Sequence, residues 1–185
     1  MSRWGSGDGP GASVPWVHLV NAVLLVGLWA WSWAVFPAPP AHLPEPIGPG
    51  GPLEAAPSLG KWLALPITAA ALSLGSYGLV PLIRRTRHFN LPTATPITEF
   101  RPEDQARIRH LTARYLLWMN AILIGGLWLL QIHQRAAVLD PSPGPERVPA
   151  LAILYLVVAP AIASLFFLST ITHLAREAEQ RARRP

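Results

Sequence analysis

The chain has no cysteine and one lysine, Lys61, and only 14% of its 185 residues are charged. Without cysteine there are no disulfides, no thiolate metal ligation and no thiol redox chemistry. A soluble domain carries about a quarter of its residues as charges, so so few charges beside 51% hydrophobic residues place the chain in the membrane class. Four stretches, 16–36, 62–83, 115–132 and 148–171, hold no Asp, Glu, Lys or Arg. Proton-coupled transporters, channels with charged filters and intramembrane hydrolases need such groups, although each costs about 3 kcal/mol in hydrocarbon. The chain is therefore not expected to be an enzyme, and no catalytic or metal residue is assigned.

Those four stretches predict an all-α, four-helix membrane bundle. The first, at 21 residues, makes about 30 Å of helix, the thickness of the hydrocarbon layer. It is long for a signal-peptide core, and no small-x-small cleavage site follows it. Residues 1–15 are too rich in Gly and Pro to hold a helix and are expected to form a mobile arm. Between the first two spans, residues 37–60 hold eight prolines and four glycines, which predicts an irregular loop. Phe89, Leu91 and the prolines at 92 and 96 predict an extended strap along the surface. Pro102-Glu103-Asp104 reads as a helix start that runs on into the third span. Pro160 falls mid-span and should kink the fourth helix by removing the bond to the Leu156 carbonyl. Residues 175–185 form a basic tail.

Charge sets the expected orientation. Seven arginines (Arg84, Arg85, Arg87, Arg101, Arg107, Arg109 and Arg114) lie between spans two and three, and Arg176 opens the basic tail. The two other connections carry only Lys61, Arg135 and Arg147. Cationic loops stay on the cytoplasmic side, which predicts both termini and the middle segment inside a bacterial cytoplasmic membrane. Placed beside apolar runs, these arginines fit lipid headgroups rather than nucleic acid.

Milder polar groups remain as candidates. His18 and Asn21 share a face near the inner end of span one, and Asn120 lies at a similar depth in span three, where interhelical hydrogen bonding is the simplest expectation. His18, His110 and His173 all fall near the inner face, so no cofactor is expected, with haem or chlorophyll held by a histidine as the alternative. Trp16, Trp33, Trp62 and Trp118 sit at span ends, as headgroup anchors do, whereas Trp29, Trp31 and Trp128 lie deeper and offer surface to lipid, pigment or a partner. Small residues allow close helix approach: Ala71, Gly75 and Gly78 in span two, Gly125 and Gly126 in span three, Ala159 and Ala163 in span four.

The loop after span one carries Leu43-Pro44, Gly51 and Glu54, and Lys61 opens the next span. With the Asn-Leu-Pro strap, this resembles a bacterial four-span membrane family of unknown function that includes the sporulation-delay toxin immunity proteins, over roughly residues 15–130. The family's His-Phe pair is replaced by Pro46-Ile47, and proline has no side-chain donor or ligand atom. The resemblance implies a retained scaffold with a lost outer site, as expected of an accessory subunit packed against other membrane proteins. A peptide-sensing receptor or immunity protein is the alternative reading, and a small transporter the third.

Overall fold

The computed structural model of the protein describes residues 15–36, 58–86, 89, 91, 93–139 and 150–183. The N-terminal arm, most of the first proline-rich loop and the loop before span four lie outside these residues. Four helices follow in order: α1 (Pro15–Ala34), α2 (Leu59–Arg85), α3 (Pro102–Leu139) and α4 (Ala150–Ala182), with a short 3-10 turn at Ile97–Glu99. Each of the four is long and apolar enough to cross a membrane.

Local chemistry sets their ends. Pro15 opens α1, a position where its missing N–H costs no bond. Ser58 caps α2, its Oγ accepting from the Lys61 N–H at 3.3 Å. At the far end Thr86 turns extended, and its N–H and hydroxyl both donate to the Leu82 carbonyl. Glu103 and Asp104 stand in the first turn of α3, where carboxylates complement the helix dipole.

Helices α1, α2 and α3 pack against one another, and α4 packs chiefly against α3. Cross-helix contacts fix an up-down-up-down order. The start of α1 meets the end of α2 through His18 and Tyr77, and the start of α2 meets the ends of α1 and α3 through Trp62, Ser32 and Gln131. Tyr115 meets Ser164, and Asp104 meets Arg181, along α3 and α4. One end of the molecule therefore collects Arg84, Arg85, Arg101, Arg107, Arg109, Arg114, Arg176, Arg181 and Arg183, whereas the other holds Lys61 and Arg135 among the described residues.

The middle of the three-helix unit is apolar: Leu28, Ala69, Ile124 and Leu127 are buried, with Leu24, Leu25, Leu65 and Trp128 packed on them. The non-basic end is closed by Trp62, which corrects its expected place in the headgroup layer. Its side chain is fully buried, and Nε1 donates at 2.8 Å to the Ser32 carbonyl in the last turn of α1. The physical reason lies four residues on. Pro66 has no N–H to offer the Trp62 carbonyl, and Gln131 Nε2 of α3 fills the vacant acceptor at 3.2 Å.

At the basic end α3 and α4 outrun the bilayer. At 38 and 33 residues they measure about 57 and 50 Å at 1.5 Å per residue, against about 30 Å of hydrocarbon. At this end the segment before α3 joins both helices in a second apolar cluster of Ile97, Phe100, Ile108, Ile171 and Ala178, with Phe89, Leu91, Leu111 and Phe167 packed against it. Phe89, Leu91, Ile97 and Phe100 of the segment before α3 turn their side chains into this cluster. Helix α4 continues to Ala182, into the basic tail, and buries Ala175 and Ala178. Polar bonds brace the same unit: Arg181 to the buried Asp104 at 3.2 Å, the Thr95 hydroxyl to Glu179 at 3.3 Å, and Arg183 to Glu179 at 2.6 Å.

Candidate functional site

The three polar residues singled out within the spans occupy neighbouring positions toward the basic end. Asn21 and Asn120 are almost wholly buried, at 3% and 1% exposure, so each must find its hydrogen bonds inside the protein. Asn120 Nδ2 donates to Asn21 Oδ1 at 2.7 Å and to Ser73 Oγ at 3.2 Å. Asn21 Nδ2 donates to the Val17 carbonyl of its own helix at 2.8 Å and to the Leu117 carbonyl of α3 at 3.0 Å. Ser73 in turn donates to the Ala69 carbonyl, and Ser76 reaches Asn120 Oδ1 at 3.4 Å. Both amides are thus used in joining α1, α2 and α3.

His18 stands just outside this network. Its Nδ1 and the Tyr77 hydroxyl are 3.1 Å apart, and the rings are tilted at 39° with centroids 5.6 Å apart. Between α1 and α2, beside the asparagines, lies an open groove of about 410 Å³ lined by Asn21, Ala22, Leu25, Ala70, Leu74 and Tyr77. Ser73, Ser76 and Tyr77 are the members that sequence reasoning missed. Their signal was the spacing of 73, 76 and 77 along one face of an otherwise apolar helix.

The other singled-out residues fall elsewhere. Trp128 Nε1 donates to the Leu24 carbonyl at 2.8 Å, and its ring lies 5.7 Å from that of Trp31, which carries the Arg135 guanidinium 5.6 Å above it. Trp29 is half-buried on the same helix. Gly125 and Gly126 admit α4: a side-chain carbon at Gly125 would stand 3.0 Å from the Tyr155 hydroxyl, and one at Gly126 would overlap the Leu156 side chain. Ala159 and Ala163 are half-buried on α4. The Ala71, Gly75 and Gly78 stripe is different. All three are exposed, and nothing lies within 4 Å of a carbon added at Gly75 or Gly78.

Of the arginines expected at headgroups, Arg84, Arg85, Arg107, Arg114 and Arg176 are exposed, and Arg87 lies outside the described residues. Arg109 departs from that expectation. Its Nε donates to the Thr86 carbonyl at 3.1 Å and its terminal nitrogen to Gln105 at 3.0 Å, tying the end of α2 to α3. His173 pairs with Glu177 at 3.4 Å on an exposed face of α4. Among the loop-motif residues, Leu43, Pro44, Gly51 and Glu54 lie outside the described residues, and Lys61 is exposed in the first turn of α2. Among the described residues, no group of three or more His, Asp or Glu side chains is placed to hold a metal ion.

The fold defines the class: a helical protein with four helices fit to cross a membrane. Comparison of the chain with protein-family models, curated proteins and solved structures finds no match.

Proposed function

We propose that the protein is a non-catalytic accessory subunit of a larger membrane complex, with its basic end in the cytoplasm of a bacterium. The observation that carries this reading is a division of labour between inside and outside. Asn21, Asn120, Ser73 and Gln131 each take part in bonds between helices, so this part of the interior serves as a scaffold. The outside is left open: α4 exposes Leu151, Leu154, Val157, Ile162, Leu165 and Phe166 at 58 to 79%, and α2 exposes its small-residue stripe. Small residues allow two helix backbones to approach closely, and a partner span on α2 would find no internal helix in its way. Orientation follows from the arginines gathered at one end. Gentle extraction of the tagged protein, native-gel separation and mass spectrometry of the band test the reading. A stoichiometric assembly with another membrane protein supports it, and a lone chain after extraction in several mild detergents refutes it.

One observation favours a second reading, a sensor or immunity protein. Helix α3 is unbroken from Pro102 to Leu139, so a single rod joins the non-basic end to the extramembrane unit. On that reading, replacing residues 37–57 with a Gly/Ser linker abolishes protection or signalling and leaves insertion intact.

A further inference from the structure

The groove between α1 and α2 has an apolar wall and one polar end. Asn21 and Ser73 contribute to its floor, but their polar atoms are engaged with Asn120, Leu117, Val17 and Ala69. An occupant meets Ala22, Leu25, Ala70 and Leu74, which suit hydrocarbon. The volume of about 410 Å³ falls within the range of about 300–1,000 Å³ typical of ligand sites.

The polar end has a defined chemistry. If Tyr77 donates to His18 Nδ1, the imidazole keeps Nε2–H as a donor; if Nδ1–H donates to Tyr77, the phenol keeps its O–H. In either tautomer the pair retains one donor, and protonation of the ring adds another. The groove face of α2 runs through Ala70, Leu74 and Tyr77, and two turns farther the same stripe reaches Arg84, about 10 Å along the axis. Arg84 is exposed and belongs to no ion pair among the described residues.

We propose that this groove holds one acyl chain of an anionic phospholipid, with the lipid phosphate met by Arg84 and by the donor left on the His18–Tyr77 pair. The hydrocarbon wall selects the chain, and the cation at the basic end selects the headgroup charge. This site does not depend on whether the protein belongs to a larger complex.

Native mass spectrometry of the full chain in mild detergent tests it, using phosphatidylglycerol and phosphatidylcholine of identical acyl chains as probes. The wild-type chain should retain a single phosphatidylglycerol through activation that strips phosphatidylcholine, and glycerol 3-phosphate, which has no chain, should not displace it. Ala22→Phe, which fills the groove, should reduce retention of both lipids severalfold. Arg84→Gln should keep a bound lipid but erase the headgroup preference. Equal retention of the two lipids by the wild type means general annular lipid and overturns the proposal. So does displacement by glycerol 3-phosphate, or a preference that survives Arg84→Gln. Because Arg84 is exposed, that variant remains decisive even if circular dichroism shows that Ala22→Phe does not fold.

Discussion

The Asn21–Asn120 pair allows a double-mutant cycle whose outcome can be set from the geometry. Interhelical hydrogen bonds in membranes are worth about 0.6 kcal/mol on average and about 1.7 at most, because the helices apart in lipid also find partners. The Asn120-to-Asn21 bond is short at 2.7 Å and both residues are buried, so its coupling should lie above the average, near 1 kcal/mol. Ser76 reaches Asn120 at only 3.4 Å, the edge of hydrogen-bond geometry, and its coupling should be under about 0.3 kcal/mol. Asn120→Ala alone should cost about 2 kcal/mol, since it removes two donated bonds and leaves Asn21 Oδ1 without its partner. The assay is reversible unfolding of the full chain in mixed micelles titrated with dodecyl sulfate and followed by circular dichroism. Equal couplings for Ser76 and Asn21, or an Asn120→Ala variant as stable as the wild type, would refute the view that these amides act as structural links. The latter result would point to polar groups kept for a ligand at some expense of stability.

Three further outcomes follow from single features. Gly126→Ala should destabilise the α3–α4 contact by about 1–3 kcal/mol in the same unfolding assay, with Leu156→Ala restoring part of the loss, whereas Gly78→Ala should be neutral or slightly stabilising. Trp62→Phe should cost about 1–3 kcal/mol, because it leaves the Ser32 carbonyl without its buried donor; a loss no larger than that of Trp33→Phe, at an exposed site, would contradict this. Burial raises the Glu179 carboxyl, but the hydrogen bond and charge of Arg183, with the Thr95 hydroxyl and the Ala94 N–H, outweigh it and hold the group below the usual carboxylate range. A lowered folded-state value means stability fully present above the unfolded value of about 4.3 and lost as pH falls through the folded one. Amide exchange at 93–100 should therefore accelerate in that acid window, and Glu179→Gln should flatten the dependence.

Much of the fold is legible because a membrane span requires length and uncharged composition, both of which are local. Four stretches met that requirement, and four helices of the right kind are present. Pairing is not local. Asn21 and Asn120 stand out as amides in apolar runs, but Ser73 and Ser76 do not, since serine in a helix is commonly content with its own backbone, as Ser73 is with Ala69. Which serines also face another helix depends on helix rotation, which a single sequence does not encode. Trp62 misled for a related reason: an indole at a span end suits both the headgroup layer and a buried capping role. What distinguishes them is Pro66 one turn later, which frees a carbonyl and calls a side chain from α3 to the same place.

The basic end follows a different logic from the spans. In lipid, apolar side chains gain nothing by leaving hydrocarbon, so α4 can keep Phe166 and Leu165 exposed while holding to α3 through the Gly125–Gly126 notch and the stacked Tyr115 and Phe167 rings. Beyond the bilayer water restores the hydrophobic drive, and there the exposure of Ile97, Phe100 and Ile108 falls to 1–3%. Glu and Arg appear beside them to satisfy the polar groups of the chain that covers them. The arginines of the basic end therefore fall into two populations. Arg84, Arg85 and Arg107 are exposed and belong to no ion pair among the described residues, whereas Arg109 and Arg181 are committed to Thr86, Gln105 and Asp104. Counting arginines predicts the side of the membrane. Only their partners reveal which of them build the unit that stands on it.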